Sequence, residues 1–128
     1  MSDELAPVWH QMGTKRYWKE LVGIDRVEDE ELRGRIEALD QQELFDFYWT
    51  TQNQAGRLLR GGATDPRIAN WIVRQGLRVW EDHRDDPGSF PGELPETAGL
   101  TDLSALAAGL YRQRHGAAID EIDPRKDH

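Results

Sequence analysis

Apolar residues recur along this chain at helical spacing, and the polar residues between them carry start and stop signals. Tyr17, Trp18 and Leu21 share one side of a helix over 14–22 that Gly23 ends. Leu32, Ile36 and Leu39 fall at i, i+4 and i+7 of a second helix, with Asp25 as its cap. Its first turn holds Glu28, Asp29, Glu30 and Glu31, where the helix dipole favours carboxylates. In the third helix Asp40 and Glu43 form a capping-box pair. Leu44, Tyr48, Thr51, Ala55 and Leu58 follow as its stripe, widened by Phe47 and Leu59, and Gly61-Gly62 breaks it.

A fourth helix opens with Asp65 as N-cap and Pro66 in the first position, and runs to Asp86-Pro87-Gly88. On a helical wheel Ile68, Ala69, Ile72, Val73, Gly76, Val79 and Trp80 take its buried half. Gly76 within that half predicts a close approach by another helix or a bulky side chain. Residues 87–100 read as a loop rich in proline and glycine, anchored by Phe90 and Leu94. Thr101 caps a last helix carrying Leu103, Leu106, Ala107, Leu110 and Tyr111, and Gly116 closes it. Residues 1–13 form a lead-in with Trp9 and Met12 as anchors. Residues 117–128 form an acidic polar tail in which Ile119 and Ile122 dock as a short turn. No segment alternates long enough to make a strand. The expectation is all-α: a compact single-domain bundle of about five helices over 14–116.

Composition supports one self-sufficient domain. A chain of 128 residues is long enough for one core, and five Trp, three Tyr and three Phe supply large side chains to fill it. The absence of cysteine excludes disulfides, thiolate metal sites and thiol nucleophiles. The N-terminus has neither the basic nor the apolar region of a signal peptide, and no apolar run reaches the roughly 18 residues of a membrane span. The expected location is cytoplasmic. A net charge of −8 disfavours nucleic acid and anionic membranes and favours a basic partner. That charge is uneven: residues 49–84 carry six arginines against three acids.

Parts of the chain resemble a bacterial domain-of-unknown-function family. The segments concerned are Tyr17-Trp18, Ile36 to Phe47 with its L-x-x-x-E-L-x-x-F core, Gly61-Gly62-Ala63-Thr64-Asp65, Asn70 to Gly76, and Asp86-Pro87-Gly88-Ser89-Phe90. In that family the later segments read G-G-x-S-D-D, W-L-x-x-G-R-x-x-Y and D-P-D-x-L. The match covers roughly residues 17–90 and is patchy; Pro66 stands where the family has its second Asp. The resemblance implies a helical domain and no activity.

The polar side of the fourth helix presents Arg67, Trp71, Arg74 and Arg78 at i, i+4, i+7 and i+11. A tryptophan flanked by guanidinium groups is the composition of an interface hot spot or an anion site. The same residues have a structural use: Trp71 under the N-terminal segment, and the arginines paired with the acidic second helix. His83 with Asp82 and Asp86 has spacing that could share a metal, although His83 also falls on the apolar face, where one hydrogen-bond partner suffices. No metal or other cofactor is expected. Ser2, Ser89 and Ser104 lie in no nucleophile elbow. The reading is a protein that binds another protein, in an immunity-like or accessory role, with a homo-oligomer as a duller possibility. The alternative is a small helical enzyme or accessory that holds an anionic small molecule at Trp71, Arg74 and Arg78, with His83 handling protons.

Overall fold

The computed structural model describes residues 11–62, 65–91, 93, 102–116, 118 and 119. Among these it forms six helices and no strand: α1 (Lys15–Val22), α2 (Asp29–Glu37), α3 (Gln41–Gly61), α4 (Pro66–Arg74), α5 (Leu77–Asp85) and α6 (Leu103–His115), with a 3-10 turn at Pro87–Ser89. The all-helical expectation holds, with one more helix than the periodicity suggested. Trp9, His10, Leu94 and Ile122 lie outside the described residues.

The longest helix, α3, organises the rest and is fixed at its first turn. The Glu43 amide donates to Asp40 Oδ1 at 2.8 Å and the Asp40 amide to Glu43 Oε1 at 3.2 Å, so each residue satisfies a backbone donor of the other. The second oxygen of Glu43 accepts from Arg16 at 2.7 Å, which ties α1 to the start of α3 and raises the Arg16 pKa. From there α3 packs against α4, α5 and α6. Leu44, Phe45, Phe47, Tyr48, Ala55 and Leu58 are buried along it, so the expected stripe, Phe47 included, widens further to Phe45.

Aromatic rings fill the space between α1, α3 and α5. Tyr17 meets Trp18 edge-on at 4.9 Å and lies 5.4 Å from Phe47, while Trp18 sits 5.6 Å from Trp80. Two polar handles of this cluster are satisfied inside the protein: Tyr17 OH lies 2.7 Å from Thr51 Oγ1, and Trp80 Nε1 donates to the Gln54 carbonyl at 3.1 Å. Burial pushes the Tyr17 phenol pKa up and keeps it protonated. At the far side Arg114 of α6 donates to the carbonyls of Glu37 and Leu39, satisfying the otherwise unpaired end of α2.

Three local expectations shift. The N-cap position of α2 is Glu28, and Asp25 lies in the preceding turn. The cap of α6 is Asp102, whose Oδ1 accepts from the Ala105 amide at 3.1 Å; Thr101 lies outside the described residues. The largest change is that the expected fourth helix is two helices, α4 and α5, broken at Gln75-Gly76. Gly116 ends α6 in the left-handed conformation as expected, and Ile119 is fully buried beyond it. Among the described residues no helix is long and apolar enough to cross a membrane.

Gly76 shows why the break occurs. Its φ is +109°, and a Cβ there would lie 2.8 Å from the Ile24 carbonyl oxygen. The close approach expected at Gly76 is therefore real, but the neighbour is the α1–α2 connection rather than a helix. That connection caps α5 with backbone alone: the Leu77 amide donates to Gly23 O and the Arg78 amide to Ile24 O, both at 3.0 Å. Gly76→Ala should lower stability by about 2 kcal/mol or more, since it adds strain and displaces that backbone. Gly109→Ala in α6, with nothing within 4 Å of the new methyl, should raise it by about 0.5–1 kcal/mol. Urea unfolding of the two variants beside the parent checks both signs.

Candidate functional site

The break at Gly76 redistributes the Arg and Trp side expected on one continuous helix. Arg67 stays exposed at the start of α4, with 76% of its side chain open. Trp71 is partly buried on the same helix. Arg74, placed outward by the wheel, is completely buried. Arg78 belongs to α5 and is again exposed, at 68%. The four residues therefore do not form one outward stripe; the α1–α2 connection covers the third of them.

Arg74 is the anchor of that cover. Its Nη2 donates to the Val27 carbonyl at 2.7 Å and to Asp29 Oδ1 at 2.5 Å. Asp29 stands in the first turn of α2, so the pairing of arginine with the acidic helix occurs, through this residue. Nε and Nη1 of Arg74 are buried without a partner. Burial accordingly lowers its pKa, opposed by Asp29, and the guanidinium still keeps its charge. A side chain so enclosed cannot meet a ligand or a partner directly. Nearby, Arg78 pairs at 3.4 Å with Asp25, both ends open to solvent.

At the other end of α4, Asp65 takes the Arg67 amide and side chain, donors an anion at the helix start would need. Its Oδ1 accepts from the Arg67 amide at 2.9 Å and from Arg67 Nε, and Oδ2 pairs with Nη2 at 3.0 Å. The Arg67 side chain, then its amide, hold the Asp65 carboxyl below its ordinary 3.8, and Asp65 raises the Arg67 pKa in return.

His83 is half-buried and structural in its contacts. Its Nδ1 lies 2.7 Å from Ser89 Oγ, and its ring stacks on Phe90 at 5.7 Å and 14°. Ser89 Oγ donates to the Asp86 carbonyl at 2.7 Å, so the shared proton on the imidazole side belongs to Nδ1. That arrangement closes the turn after α5; it does not strip a proton from Ser89. No group of three or more acidic or histidine side chains among the described residues is placed to hold a metal ion, and Asp82 and Asp86 do not gather around His83 as a ligand set.

A feature with no motif in the sequence lies where α1 meets α3. A cavity of about 250 Å³ is bounded by Met12, Thr14, Tyr17, Trp18, Gln54 and Arg57, among others. Gln54 is 6% exposed and its Oε1 has no hydrogen-bond partner. Gln54 has no signature in the sequence, because a polar residue inside an apolar stripe carries no signal of its partners. A shallower cavity of about 220 Å³ beside α6 is bounded by Ala108, Gly109, Arg112, Ala118 and Ile119.

No family model, curated protein or solved structure matches the chain. The site is therefore read from its own geometry.

Two outcomes follow. Asp29→Ala leaves Arg74 buried with a single carbonyl partner and should cost about 3 kcal/mol, whereas Arg74→Met removes the charge and its unpaired nitrogens together and should cost less. Urea unfolding of both variants and their double mutant gives the ordering and the coupling. For Asp65, a folded pKa below the unfolded value means its contribution is full above about pH 4 and disappears as pH falls through the folded value. The stability difference between the parent and Asp65→Asn should therefore shrink to nothing in strong acid, measured as melting temperature against pH.

Proposed function

We propose that the protein acts by binding another protein, in an accessory or immunity-like role, and that the α4–α5 elbow with its covering connection is the surface used. The observation that carries this reading is Trp71, left partly open on a backbone whose position is held by buried Arg74. Indole rings of this kind supply large contact area at small entropic cost, and they dominate hot spots. Arg67 and Arg78 stand exposed on the same two helices. Ile24, the exposed large hydrophobic residue among those described, lies in the segment whose carbonyl caps Arg78. Each arginine has an acidic companion, Asp65 or Asp25, so the elbow offers an aromatic centre with a polar, charge-balanced edge. The overall charge of −8 favours a basic partner at longer range.

The test is isolation of the intact protein from its own host and identification of what remains bound in native mass spectrometry. A stoichiometric protein partner is expected, and Trp71→Ala combined with Arg78→Glu should weaken it by about thirtyfold or more with helicity unchanged. Capture that survives this double substitution removes the elbow as the contacting surface. A protein that emerges alone removes the binding reading itself.

A further inference from the structure

We draw no further inference here: the strongest candidate, the Arg74–Asp29 side-chain cluster beneath the α1–α2 connection, belongs to the elbow already described, and the two unpaired nitrogens of Arg74 are shut off from solvent and so face no ligand.

Discussion

The structure turns on two backbone carbonyls. Gly23 O and Ile24 O meet the first amides of α5, and they do so where the chain would otherwise have continued as one helix from Pro66 to Asp85. A helix start needs acceptors for its free amides, and a side-chain cap ordinarily supplies only one of them. Here a distant loop supplies two, and that arrangement requires a residue without a Cβ at position 76. The same loop begins at Gly23, also at positive φ, where a Cβ would sit 2.5 Å from Val27 Cγ2. Two glycines more than fifty positions apart thus permit one contact.

Arg74 makes sense only beside that contact. Its single engaged nitrogen binds both the Val27 carbonyl and Asp29, so it holds the far end of the segment whose near end caps α5. The arrangement is expensive, because two nitrogens of a buried cation go unpaired. A buried ion of this kind contributes little net stability; what it supplies is a fixed path for the loop. The fixed path in turn sets the positions of Ile24 and, through the cap on α5, of Arg78. The structural role of Arg74 and the surface role proposed for its neighbours would then be two parts of one arrangement.

Much of the helical framework was legible because caps and stripes are local. Asp40 with Glu43, Asp65 with Pro66, and Gly116 each act within four residues, and each stands where the sequence places it. The α4–α5 break was not legible. The apolar positions Ile68, Ile72, Val73 and Trp80 keep helical phase across it, and the cause lies fifty positions away. The inward turn of Arg74 was hidden for the same reason: a wheel gives the side of α4 away from α3 but cannot say that another segment crosses it. The cavity between α1 and α3 was invisible because a cavity is defined by three-dimensional neighbours, and the residues that bound it match no motif. The polar face did announce that arginine and tryptophan mattered there; it could not say which arginine faced inward.

The elbow exists only while the α1–α2 connection is docked on α5 in solution, and amide hydrogen exchange reads that directly. The Leu77 and Arg78 amides should be protected to the level of the buried centre of α3, and Arg74→Met should lower their protection while leaving α3 unchanged. Exchange of those two amides in the parent protein at the rate of an open loop would contradict it, because the elbow and the surface built on it would then have no fixed shape.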